Sequence, residues 1–409
     1  MSNKKQEIPA IRFNGFTDAW EQRMLGDITS KIGSGKTPRG GNSVYTQNGI
    51  PLLRSQNIYN DRVNIEDIVY ITDSIDKEMA NSRVEKNDVL LNITGASIGR
   101  SAVYGLSSKA NVNQHVCIIR PIHEVHSYFV QLNLSSPIGQ KQIDLNQAGG
   151  GREGLNFQQI AKMSFNFPHF SEQTKIGAFF KQLDDTIALH QRQLDNYKEL
   201  QKSLLQKIFN QELRFKDKYG DDYPEWEKEK LGNLITEVVE KSTIQDQYPI
   251  LSSTNKGLFL QIEYFKSNIA SDDNIGYKIL RQNEIVFSPQ NLWMGNINFN
   301  DKYEAGIVSP SYKIFSVNDG IVHEFMKFMI KTQYMMNEYV LSSEQGASIV
   351  RRNLDMELFN KIKVKIPTIP EQKKITDFLI ASDDQIDQVA QKLERLKEQK
   401  KGLMQRMFV

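Results

Sequence analysis

A single cysteine, Cys117, serves all 409 residues, and it lies in the short apolar run 116–119. A disulfide framework and a thiolate metal site are therefore excluded. No stretch approaches 18 uninterrupted apolar residues, so no transmembrane helix is expected. The opening MSNKKQEIPAIRF has lysines without the apolar core of a secretory signal, and a cytoplasmic protein is expected. Neither sign of charge is in excess: 51 Lys and Arg face 49 Asp and Glu, a formal net charge of +2. That balance neither supports nor excludes nucleic acid, because a basic face can be offset by acidic residues elsewhere. The length suits two or three domains.

What the chain does have is repetition. Residues 172–209, EQTKIGAFFKQLDDTIALHQRQLDNYKELQKSLLQKIF, align without a gap to residues 371–408, EQKKITDFLIASDDQIDQVAQKLERLKEQKKGLMQRMF. About 15 of 38 positions match where unrelated segments would give about two, which marks an internal repeat. Apolar positions alternate three and four apart in each copy. The first seam runs Ile176, Phe180, Leu183, Ile187, His190, Leu194, Tyr197, Gln201, Leu204, Ile208; the second runs Ile375, Leu379, Ser382, Ile386, Val389, Leu393, Leu396, Lys400, Leu403, Met407. A heptad sustained this long predicts a coiled coil rather than a solvated surface helix. Neither copy contains proline, and at about 1.5 Å per residue each would span roughly 57 Å. Gln201 and Lys400 hold the same heptad position, where a polar residue can fix register.

Ahead of each helix the halves match again. Ile11, Arg12 and Phe13 lead to Trp20, Glu21, Leu25 and Gly26, as Leu213, Arg214 and Phe215 lead to Trp226, Glu227, Leu231 and Gly232. The charged stretch 214–230 reads as the inter-domain connection, although its aromatics make it too adhesive for a free linker. From Gly26 to about Pro168, and from Gly232 to about Pro367, short β-branched runs alternate with Gly, Asn and Ser clusters. Strands are predicted around 88–93, 115–119, 283–287 and 312–317, and helices over 128–143 and 322–338. Then FQQIAKMSFNFPHFSEQ answers MELFNKIKVKIPTIPEQ, a short helix, a strand and a proline turn feeding each long helix. The fold class is α+β: two mixed globular parts, each followed by a long helix, with the helices pairing as an antiparallel coiled-coil spacer. The segments are 1–170 and 213–369 (globular), and 171–212 and 370–409 (helical).

No motif carries catalysis. Gly33-Ser-Gly-Lys-Thr ends like a phosphate-binding loop, but Ser30 stands where the first glycine is needed and Pro38 where a helix should begin, so a basic turn is the better reading. His123 and His126 lack a third ligand. Ser288-Pro-Gln-Asn faintly resembles a methyltransferase tetrapeptide without its aromatic, and no cofactor loop accompanies it. The loops do offer donors and acceptors suited to base edges and phosphates. In the first half these are Lys36, Thr37, Arg39, Arg54, Ser55, Gln56, Asn57, Thr94, Ser97, Arg100, Gln114 and Arg152; in the second, Ser252, Ser253, Thr254, Asn255, Lys256, Gln290, Asn291, Trp293, Arg351 and Arg352. Singly each reads as an ordinary loop residue. At matched places in two halves they suggest a pair of recognition surfaces.

Two divergent globular parts, each closed by a proline, a Glu-Gln pair and a long helix with Asp-Asp and a terminal Phe, resemble the specificity subunit of type I restriction-modification enzymes. The resemblance covers nearly the whole chain and includes 35–38 leading to Gly-Ile-Pro-Leu-Leu-Arg at 49–54, and 95–100. It implies a non-catalytic protein in which each globular part reads one half of a bipartite site on double-stranded DNA. The helices would set half-site separation and dock two methyltransferase subunits, with restriction (translocase/nuclease) subunits joining. No cofactor is expected on this chain; the partners would use S-adenosylmethionine, ATP and magnesium. The second half lacks a counterpart of 35–38 and replaces 95–100 with 289–296, as an asymmetric site would require. The rival reading is a coiled-coil scaffold whose domains bind protein or glycan.

Overall fold

A computed structural model describes residues 8–147, 154–265, 273–345 and 352–408. Two compact units emerge: Met1–Arg192 with Ala390–Val409, and Gln193–Val389. The division thus falls inside both long helices and not at 214–230, which belongs to the second unit. The physical reason is that Arg214 is tied down, donating to the carbonyls of Tyr223 and Pro224 and to the Glu371 carboxylate.

In the first unit an antiparallel sheet runs in the order Thr29–Ser34, Val116–Pro121, Val89–Asn92, Ser101–Val103. Its counterpart in the second unit runs Ile235–Val238, Lys313–Val317, Glu284–Phe287, Ile297–Phe299. The predicted strands fall here. Both central strands, Val89–Asn92 and Glu284–Phe287, are almost wholly buried, which explains their continuous rather than alternating apolar runs. A second four-stranded sheet in the first unit is Val69–Ile71, Ile50–Leu53, Ala110–Val112, Arg83–Val84, with one parallel pairing. The corresponding region of the second unit is split into the hairpin Leu251–Thr254/Gly257–Leu260 and the pair Lys278–Arg281/Ala305–Val308.

The repeated entry motif closes each sheet domain. Glu21–Met24 pairs antiparallel with Ser164–Phe167, and Glu227–Lys230 with Lys363–Ile366 in the same register. Gly26 and Gly232 follow because a Cβ there would lie 3.2 Å from the Ala161 carbonyl oxygen or 2.9 Å from Asn360 Cβ. Gly35 has a similar cause: its Cβ would strike the Val112 carbonyl, so 33–37 is a strand end pressed on the second sheet rather than a phosphate loop. The helices predicted over 128–143 and 322–338 are each interrupted. Ser127–Ser135 stops before Pro137–Gln147, because Ser136 precedes a proline and is extended (φ −65, ψ 159). His323–Met329 is followed by a fresh cap at Thr332, whose hydroxyl accepts from the Met335 amide.

The long helices are Phe170–Phe209 and Ile369–Met407. Their repeated Glu-Gln pairs are wholly buried and fasten helix to domain. Glu172 receives two hydrogen bonds of 2.7 Å from Arg12; Glu371 receives Arg214 and the Trp226 indole N–H at 3.1 Å. The Gln173 and Gln372 side-chain amides donate to the Pro168 and Pro367 carbonyls and accept from the backbone amides of His126 and Val322, the N-caps of Ser127–Ser135 and His323–Met329. The C-terminal end of each helix packs in the core of the unit to which that end belongs. Phe408 meets Phe129 at 5.6 Å beside Ile176 and Phe180, and Phe209 meets Phe325 at 5.4 Å beside Ile375 and Leu379. The pairing within each unit is therefore antiparallel. All apolar seam positions, from Ile176 to Ile208 and from Ile375 to Met407, are buried or half-buried.

Candidate nucleic-acid interface

In the first unit the loops that follow Ile50–Leu53 and Val89–Asn92 converge with the turn before Val116. Ser55, Gln56, Thr94, Ser97, Arg100 and His115 line one shallow open depression of about 440 Å³. Asn92, at the end of the buried central strand, builds it: its amide donates to the Ser55 carbonyl at 2.9 Å and to Ser97 Oγ at 3.1 Å, joining the two loops. Thr94 Oγ1 lies 2.6 Å from His115 Nδ1, and His115 Nε2 lies 3.1 Å from Gln114 Nε2. Thr37 donates to Gln114 Oε1, bringing the 33–39 segment alongside. Lys36 and Arg39 stand exposed on that segment, as do Gln56, Arg100 and Gln114 elsewhere.

Asn57 is a correction. It is only 2% exposed, and its side chain accepts from the Arg54 amide and donates to the Asn64 and Asp67 carbonyls. Its hydrogen-bonding capacity is spent inside the loop. The half-buried Arg54 donates to the Asp67 carbonyl at 3.4 Å. Arg152 lies outside the described residues.

In the second unit the loop 288–296 occupies the place of 93–100. Gln290 is exposed, Asn291 and Trp293 are half-buried, and Gly295 (φ +81) matches Gly99 (φ +87) at the turn's end. The Arg352 guanidinium lies over the Trp293 ring at 5.0 Å, and its amide donates to the Gln290 carbonyl. Stacking of this kind orients the planar cation while leaving its edge available. Behind the loop, the Lys331 ammonium donates to the Gly295 carbonyl at 3.2 Å; burial pushes this lysine down to about 8. Asn255 and Lys256 are exposed at the hairpin tip.

Ser252 and Ser253 are further corrections, being 6% and 3% exposed. Ser253 Oγ donates to Asn296 at 2.7 Å and accepts from Asn298 at 2.8 Å, so it pins the hairpin to the sheet. Thr254 is half-buried and donates to the Gly257 carbonyl. Arg351 lies outside the described residues. His115, Asn92 and Lys331 escaped sequence reasoning. Only the neighbouring Gln114 gave a signal for the first, and the other two depend on contacts far along the chain.

A model of the type I restriction modification DNA specificity domain matches residues 17–198. Over 98% of its length the chain is 26% identical to a candidate MjaX type I restriction enzyme specificity subunit of Methanocaldococcus jannaschii, covering 94% of that protein. It is also 28% identical over 172 residues to the EcoBI specificity subunit of Escherichia coli, covering 41% of this chain and 36% of that one. Among solved structures, the specificity subunit of the type I system of M. genitalium superposes with a TM-score of 0.61 at 14% identity, over 98% of this chain and 99% of that one. A chain from a study of type I complex assembly gives 0.51 at 12%, over 94% and 96%. At such identities the structural likeness speaks for the fold alone. Both repeats, both sheet domains and these matches agree: residues 17–198 match the DNA specificity domain of type I restriction-modification systems, and the chain is similar along nearly its whole length to a type I specificity subunit.

Proposed function

We propose that this subunit binds a bipartite, asymmetric site on double-stranded DNA, with residues 1–170 and 213–369 each reading one half. One observation carries the reading. The two units share a sheet order and a glycine-ended loop at the same place, yet fill that place with different side chains: Thr94, Ser97 and Arg100 in one, Gln290, Asn291 and Trp293 in the other. Equal scaffolds with unequal edges suit two half-sites of different sequence. Arg and Lys suit guanine or phosphate, and Asn and Gln suit adenine, in the major groove. The readers proposed on this basis are Lys36, Thr37, Arg39, Gln56, Arg100 and Gln114, and Asn255, Lys256, Gln290, Asn291, Trp293 and Arg352.

The helices 171–212 and 370–409 would hold the half-sites apart and dock two methyltransferase subunits, to which restriction subunits add. S-adenosylmethionine, ATP and magnesium belong on this reading to those partners, in the cytoplasm. Sequencing methylated DNA from cells with and without this chain, alongside its methyltransferase, tests the reading. A two-part motif that appears only with the chain is expected; identical methylation in both would end it. Binding by the reconstituted complex should also weaken steeply with salt, as phosphate contacts require.

A further inference from the structure

A chain of hydrogen bonds centred on His115 runs along the depression in the first unit. It runs Thr94 Oγ1, His115 Nδ1, His115 Nε2, Gln114 Nε2, and from Gln114 Oε1 to Thr37 Oγ1. His115 is half-buried, while Gln114 is exposed. The imidazole is also fixed from behind: its amide donates to Asn113 Oδ1 at 3.1 Å and its carbonyl accepts from the Ile93 amide at 3.0 Å.

Donor and acceptor counting constrains this chain. The Gln114 Nε2 group can only donate, so His115 Nε2 must accept. The ring proton then sits on Nδ1 and donates to Thr94 Oγ1, since each neutral imidazole has one donor and one acceptor. Gln114 has one N–H engaged by His115 and one lone pair of Oε1 engaged by Thr37. One N–H and one lone pair remain uncommitted on this exposed side chain. That is the pattern a carboxamide needs to meet adenine N7 and N6 together. Were the proton on Nε2, the amide would have to turn over and its donor and acceptor would exchange places.

We infer that His115 is a positioning residue whose tautomer, held by Thr94, sets the outward face of Gln114, and that Gln114 reads an adenine edge in the half-site of the first unit. The inference rests on the proposed function and adds a base and a residue to it. Bidentate amide reading separates the right from the wrong base by roughly ten- to a hundred-fold. Thr94→Val keeps the shape of the side chain but removes the hydroxyl, freeing the imidazole and with it the amide. Thr94→Ser keeps the hydroxyl.

The experiment maps methylated sites in cells that carry the methyltransferase subunit with the wild-type chain, Thr94→Val, Thr94→Ser or Gln114→Glu. Thr94→Val should relax one base pair of one half-site by roughly ten- to a hundred-fold, with Thr94→Ser near wild type and the other half-site unchanged. Gln114→Glu, which can only accept, should shift preference at that same position from adenine towards cytosine, whose exocyclic amine donates. Because Gln114 is exposed, this variant decides the matter even if Thr94→Val folds poorly. An unchanged motif for Gln114→Glu, or relaxation spread over both half-sites with Thr94→Val, overturns the inference. Absence of sequence-specific methylation with the wild-type chain would instead refute the proposed function itself.

Discussion

Asp184 shows how one side chain couples the helix seam to pH. It is mostly buried, and Lys400 Nζ lies 2.6 Å from its carboxylate while also meeting Asp61. Burial first, and then the nearby Asp61 charge, push Asp184 from 3.8 up to about 6 against the opposing pull of Lys400. Between pH 4 and 6 the folded chain therefore holds a proton that the unfolded chain has lost, so stability falls as pH rises through that window. At about 1.4 kcal/mol per pKa unit the loss approaches about 3 kcal/mol by pH 7. Asp184→Asn should flatten the slope. Urea midpoints at pH 4.5, 5.5 and 6.5 check this, and a variant retaining the wild-type slope would show another group responsible. Glu371 is buried as well, and one of its carboxylate oxygens accepts from both Arg214 and the Trp226 indole. Glu371→Ala removes the acceptor of the Trp226 indole and the buried counter-charge of Arg214 and should cost about 3 kcal/mol, read as a lowered urea midpoint against a Lys373→Ala control on the exposed face. Burial pushes the Cys117 thiol up to about 12, so thiol reagents should label it only after unfolding.

At the scale of the helix, the polar seam positions have different partners in the two copies. Gln201 donates to Asp383 at 2.7 Å, while Lys400 pairs with Asp184. The acceptors are the first aspartates of the repeated Asp-Asp. In the second unit the cation comes instead from Lys327, which meets Asp383 and Asp301 at 2.9 Å. A slip of register would separate these groups as well as the apolar seam. If the helices fix half-site separation, four residues inserted near His190 would add about 6 Å and advance the helix by roughly 40° beyond a full turn. Base pairs are about 3.4 Å apart and turn by roughly 36° each. A spacer longer by one, at most two, base pairs is the expected result, with both half-sites unchanged. A single-residue insertion turns the seam by about 100° and should be worse tolerated. Methylated-site mapping checks both, and an active four-residue variant with the original spacer would refute the ruler.

At the scale of the whole molecule, duplication of one scaffold predicts modular specificity. Exchanging residues 26–168 for those of a relative should change one half-site and leave the other, as read by methylation mapping. A change in both would contradict separate readers. The purified chain by itself should transfer no methyl group to DNA in a radiolabel assay, whereas adding the methyltransferase subunit should give transfer.

The repeats, the seam and the order of globular part and helix were legible in the sequence because they depend on spacing alone: a heptad needs only its own period, and a buried strand its own apolar run. The family likeness followed from the same duplicated signals. The roles of Arg12, Trp226 and the paired Glu-Gln residues were visible as repetition without a cause, since the cause is a hydrogen bond across 145 to 160 residues of chain. The site was less legible still. Asn57 and Ser253 resemble readers in composition, yet burial turns them inward, and His115 gained a role only when Thr94 and Gln114 met it. Whether a polar side chain serves the loop or faces a ligand depends on which partners reach it first, and that is decided by the packing of segments distant in the chain.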